Sequence, residues 1–159
     1  VSSVREQIVD NLEFSLRQMR EGAGYYFDWS RFYRWRVVGQ PDESPAVRIL
    51  DTSETVEDLA NGLVDRFLSV ELLASHQASE WVQPDESEDG AGPGTLGSWL
   101  IEDLERAVMA DRRRGGLAVD TTIVSTDKTV EQSAAPMVWA SVVLEIRYRT
   151  PYDDPATAR

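Results

Sequence analysis

The run from Val138 to Tyr148 constrains this chain more than any other stretch. Val138, Ala140, Val142, Leu144, Ile146 and Tyr148 alternate with Trp139, Ser141, Val143, Glu145 and Arg147. That is the period of a strand, whose successive side chains point to opposite faces of a sheet. An even face this apolar requires a second layer to cover it, so the chain must form a sheet backed by other elements. The odd face is different. It runs from Met137 and Trp139 through Val143 to Glu145, Arg147 and Arg149, apolar at one end and charged at the other. An oligomer interface suits that mixture, with a partner burying Trp139 and Val143 while Glu145 and Arg147 pair at the rim. A sheet face partly covered by a loop is the competing reading.

Two segments can supply the covering layer. Ser3 and Glu6 form a capping box, after which Val4, Ile8, Leu12, Leu16 and Met19 make one apolar helical stripe that Gly22 can end. Phe14 projects roughly opposite the stripe, either as a contact for a neighbour or packed beneath the aromatic segment that follows. The second helix is expected over Ser98 to Arg114, with Leu100, Leu104, Ala107 and Val108 on one face. Arg112, Arg113 and Arg114 then fall in its last turn, at the negative end of the dipole, and Gly115 takes the left-handed position that stops it.

Between the helices, Phe32 to Val38, Pro45 to Asp51 and Leu63 to Ala74 read as strands, the last with Val64, Leu68, Val70, Leu72 and Ala74 on one face. Asp51 to Asn61 reads as a polar connection with a helical turn near Val56 to Leu59. Leu117 to Thr126 is a further strand. Short links favour antiparallel pairing. The expected fold is therefore α+β: one domain over 1–159, with a largely antiparallel four- to five-stranded sheet and two helices packed on one face. A flexible acidic loop is expected over 83–97, and a short C-terminal tail over 150–159.

Tyr25 to Arg36 is unusual, because seven of its twelve residues are aromatic and Arg31, Arg34 and Arg36 are interleaved. Tyr25, Tyr26, Phe27, Trp29 and Trp35 are the types that dominate protein interfaces, and equally the types that fill cores. Stacking on single-stranded bases is the remaining option, but overall charge opposes it. The formal net charge is −12, with 28 acidic residues against 16 basic, and Lys128 is the sole lysine. Free-standing nucleic-acid binders carry the opposite excess.

The inventory of reactive groups is thin. With no cysteine and a single histidine, His76, thiolate sites, multi-histidine metal sites and Ser-His catalysis lose their ingredients. Gly92 to Gly97 formally matches G-x-G-x-x-G, but its lead-in is the acidic run Asp85 to Asp89, which repels a pyrophosphate, so it reads as a helix lead-in. That acidic run lacks the ligand spacing of a calcium loop. No catalytic residue, cofactor or metal is expected, and no enzyme activity. No apolar run is long enough to cross a bilayer.

Four features together resemble the tail terminator (tail-completion) proteins of long-tailed phages: the Val4-to-Met19 helix, the Gly39-to-Ile49 turn and short strand with Pro45-Ala46-Val47, the Leu104-to-Leu117 helix with its Gly-Gly stop, and the closing strand Ile146-Arg147-Tyr148-Arg149-Thr150. The resemblance implies a non-enzymatic virion protein, assembled in the host cytoplasm and located in the tail or neck. It implies a homo-oligomeric, six-fold ring that caps the tail tube and ends its polymerisation. Its partners would be further copies of itself, the tube protein, head-tail connector or neck proteins, and DNA passing through the lumen without specific binding; no membrane is involved. An acidic lumen would repel phosphates and let the genome slide. Candidate interface residues are Phe14, Tyr25, Tyr26, Phe27, Trp29, Trp35, Trp139, Val143, Glu145, Arg147 and Arg149. Another neck component and a small cellular α+β ligand-binding domain are the alternatives.

Overall fold

Ser3 caps the first helix, α1 (Val4–Leu16), by accepting a hydrogen bond from the backbone N–H of Glu6 at 3.2 Å. Val4, Ile8, Leu12 and Leu16 are fully buried along its inner side, and Met19 just beyond it joins them. The computed structural model describes residues 3–35, 45–77, 93–131 and 137–159. The acidic run Asp85 to Asp89 and the greater part of the predicted 83–97 loop lie outside those residues.

Strands β1 (Arg31–Arg34), β2 (Ala46–Asp58) and β3 (Leu63–Gln77) precede helix α2 (Pro93–Met109), and β4 (Asp120–Glu131) and β5 (Met137–Pro151) follow it. The strand order is β1-β2-β3-β5-β4. Every pairing is antiparallel except β1 with β2. This is the expected α+β architecture. Both helices lie on one face, where Leu12 and Leu16 of α1 and Leu100, Leu104 and Val108 of α2 share a core with Val47, Ile49, Leu72, Val142 and Leu144. The even faces of β3 and β5 are buried as their alternation predicted, down to Tyr148 and Thr150.

Several boundaries differ from the sequence reading, each for a physical reason. The β1–β2 pair is parallel, against the antiparallel expectation; the eleven residues between Arg34 and Ala46 are far more than the two-residue turn that joins an antiparallel hairpin. Asp51 to Asp58 is strand, not a polar connection with a helical turn. It pairs with Val64 to Val70 through to a tight turn in which Asn61 and Gly62 both take left-handed backbone, φ 65° and 72°. The polar pattern misled because this end of β2 runs out past the helices and is wet on both faces. Helix α2 begins at Pro93, so residues 93–97 are its first turns rather than a flexible lead-in. It also ends at Met109, short of the predicted Arg114. Arg114 instead sits beyond it with φ 50°, fully buried, and folds back to donate to the carbonyls of Val108 and Asp111. The helix end is capped by a guanidinium from outside, and Gly115 (φ 68°) supplies the expected left-handed turn. Finally, β5 extends to Pro151, so the tail begins at Tyr152 rather than 150.

Candidate interaction surfaces

The aromatic segment is held by one buried carboxylate. Asp103, on the inner side of α2 with 0% exposure, accepts from the backbone N–H groups of Tyr26 (2.9 Å) and Phe27 (3.2 Å) and from the indole N–H of Trp29 (2.9 Å). Three donors on one carboxylate fix the path of residues 25–29 across the helix. Trp29 and Phe27 are thereby driven into the core, where Phe27 meets the His76 ring edge-on at 5.5 Å. Tyr26 turns outward and stacks on Trp99 of α2, with centroids 5.0 Å apart and planes 10° from parallel. Its hydroxyl bonds Glu102, which raises the tyrosine's pKa, and burial does the same for Tyr25. The Arg106 guanidinium lies 5.7 Å from the Tyr25 ring centroid and donates to the Gly24 carbonyl.

A second polar set ties α1 to the sheet. Arg5 donates to buried Asp51 at 3.1 Å, and the Trp35 indole N–H donates to the same carboxylate. Arg34 of β1 bridges Glu6 and Asp10 of α1, both at 3.0 Å. Further along β2, Glu54 accepts from Arg66 at 3.1 Å and from the Tyr148 hydroxyl. Burial, then that hydrogen bond, pushes the Tyr148 pKa far above the usual phenol range, so it stays a donor at any physiological pH.

The sheet face opposite the helices carries Leu50, Phe67, Leu73, Trp139 and Val143, all partly exposed. At one end of it Asp65 is 1% exposed beneath two arginines, Arg147 (2.8 Å) and Arg149 (2.7 Å). The hydrogen bond from Arg149, reinforced by Arg147, holds this carboxyl below its ordinary pKa even though burial alone would raise it. At the other end Arg48, 2% exposed, lies between the rings of Tyr33 (5.6 Å) and Trp139 (5.9 Å) and donates to Ser75 Oγ at 3.3 Å.

The predicted interface residues therefore scatter. Phe14, Tyr26 and Trp35 are exposed at 64%, 40% and 56%, Phe14 on the outer side of α1 and the other two on the loops before and after β1. Trp139, Val143, Glu145, Arg147 and Arg149 do share the open sheet face. Phe27 and Trp29 are a correction: Asp103 draws them into the core, out of reach of a partner. Arg147, with its side chain 41% exposed on that face, is ion-paired with Asp65 of the same chain. Tyr25 is half-buried beneath Arg106.

Sequence reasoning missed Asp103, Arg48, Asp65 and Trp99. Asp103 left a signal, an acid one position from Leu104 within an apolar helical stripe. Arg48 and Asp65 left none, because their partners lie on strands distant in sequence. Among the described residues no group of three or more His, Asp or Glu could hold a metal ion, and no helix is long and apolar enough to cross a membrane. No protein-family model matches the chain, and no curated protein matches it significantly in sequence.

Proposed function

We propose that the chain is a structural subunit that works as a homo-oligomeric ring, probing no substrate and turning over none, in the manner of the tail terminators it resembles. The open sheet face carries this reading. Leu50, Phe67, Leu73, Val143 and Trp139 lie there with no described helix or strand packed over them, and the charged groups at either end are engaged within the chain, Arg147 and Arg149 by Asp65 and Arg48 by the Tyr33 and Trp139 rings. An apolar centre with internally satisfied charge at its ends is what a recurrent subunit contact requires. Among the described residues, the buried carboxylates Asp103 and Asp51 are spent on internal ties.

In such a ring one face would match the end of a tail tube, and the other would offer the head or neck a joining surface without templating another tube ring. DNA would pass through the lumen. Native mass spectrometry of the full chain tests the reading: a discrete hexamer is expected, and Trp139→Ala is expected to shift it toward monomer. A monomer at every concentration and salt, with Trp139→Ala indistinguishable, rejects self-assembly and leaves a small ligand-binding domain as the better reading.

A further inference from the structure

Strand β4 closes one side of the sheet: β5 pairs with it, and no other described strand does. After a register irregularity between Ile123 and Ser125 the pairing is regular, and residues 124–129 are exposed. Val124, Thr126 and Thr129 are β-branched, which suits an extended chain. Alternate residues of an edge strand turn their backbone N–H and C=O away from the sheet. Such a row is a template for a further strand, and an outward lysine commonly prevents the addition. Lys128 does not serve that purpose. Its ammonium is folded onto the start of α2, donating to the Gly94 carbonyl (3.0 Å) and to Ser98 Oγ (2.9 Å). Gly97 makes room for this, since a Cβ there would lie 3.2 Å from Lys128 Cδ.

Two carboxylates stand at the edge in its place. Asp120 accepts from the backbone N–H of Thr121 and Asp127 from that of Lys128, both at 2.9 Å. The direction of those N–H groups follows from the ladder. Arg147 of β5 turns its carbonyl toward β4, where it accepts from Val119. Thr121 and Lys128 lie opposite Ile146 and Ala140, which have the other parity on β5 and so turn away from β4. Their N–H groups therefore point out of the sheet, and each meets the aspartate just before it. Thr126 and Val130, opposite Val142 and Val138, share the outward phase.

Charge reinforces the block at one of the two. Asp120 is also bound by Arg112 at 2.9 Å, whereas exposed Asp127 has no ion-pair partner among the described residues. If residues 124–130 met the same run of a second copy in antiparallel register, Thr126 would lie opposite Lys128 and Asp127 opposite Asp127 of that copy. Like charges directly opposed destabilise such a pair. We infer that Asp127, seconded by Asp120, is an autoinhibitory contact: it occupies an outward donor of β4 and keeps that edge from adding the β4 strand of a second copy. The device holds whether or not the chain forms a ring. In a ring it leaves association to the sheet face.

Amide hydrogen exchange of the 15N-labelled full chain over a concentration series tests it. With intrinsic rates divided out, the Lys128 amide of the parent protein is expected to exchange at least tenfold more slowly than those of Thr126 and Val130. Those two should show no dependence on concentration. In Asp127→Ala, a change at an exposed position, the Lys128 amide is expected to lose its protection in dilute solution. In concentrated solution the amides of Thr126, Lys128 and Val130 should then gain at least tenfold protection together, as strand pairs with strand. Asp58→Ala removes the same charge at the distant hairpin end and should leave all three amides as in the parent. Any of four results overturns the inference: a Lys128 amide no slower than its outward neighbours in the parent, no concentration dependence in Asp127→Ala, the same gain in Asp58→Ala, or a parent protein that already pairs through β4.

Discussion

Asp103 accepts three hydrogen bonds while fully buried, from two backbone N–H groups and the Trp29 indole. Removing an acceptor strands its donors, and stranded buried donors cost more than the bonds themselves contribute. Asp103→Ala is therefore expected to lose about 3 kcal/mol, read as a lower urea midpoint, together with a weakened near-ultraviolet signal as Trp29 and Phe27 lose their fixed setting. An unchanged midpoint would mean that residues 25–29 are held by packing alone. Asp65 makes a different statement, one about pH. Its folded pKa is depressed by Arg149 and Arg147, so its contribution is complete above the unfolded value of about 4 and is lost as pH falls through the folded value. Asp65→Asn should lower the urea midpoint at pH 7, and the gap to the parent protein should shrink by pH 3. A gap independent of pH would show that the carboxylate's charge is not what Arg147 and Arg149 require.

At the scale of elements, the joint between α2 and the β4–β5 hairpin rests on the absence of a side chain. Gly97 faces Lys128 Cδ and Val138 Cγ1, each 3.2 Å from where a Cβ would sit. Lys128 can move, but Val138 is fully buried in the core. Gly97→Leu should force α2 outward and cost about 1–3 kcal/mol, as overpacking does, seen as a lower urea midpoint with a changed Trp99 emission. Retention of both would mean that the helix shifts without penalty. Elements were legible in the sequence where one physical cause governed them. The α1 stripe, the even faces of β3 and β5 and the left-handed Gly115 follow from period and backbone freedom alone. The outer half of β2 did not, because its strand state is imposed by β3 across the Asn61–Gly62 turn. Nor did the parallel β1, since no local pattern records which direction a neighbouring strand runs.

Across the whole molecule, the charge of −12 sets the terms of any assembly. Subunits so acidic repel one another at low ionic strength, and screening within about 10 Å at 0.1 M salt relieves that repulsion. If the proposed ring closes through the open sheet face, its population in the native mass measurement should accordingly rise with salt, because that face is apolar at its centre. A ring that instead dissolves as salt rises would place charge pairing between subunits, and would direct attention from Trp139 and Val143 to Glu145. The candidate site was only partly readable for a related reason. The mixed odd face of β5 was visible as a pattern, whereas the setting of Phe27 and Trp29 depends on Asp103 of α2 meeting the aromatic segment.

The sequence by itself determined the layers. Alternation in β3 and β5 and the helical stripes required a sheet with one covered face, since apolar periodicity is written residue by residue and burial must satisfy it. Which aromatic residues stay exposed was decided only by tertiary structure. Tyr26 and Trp29 are alike in composition and nearly adjacent, yet Asp103 buries one and leaves the other stacked outside on Trp99. That choice belongs to a carboxylate more than seventy positions away, and contacts over such distances exist only once the chain has folded.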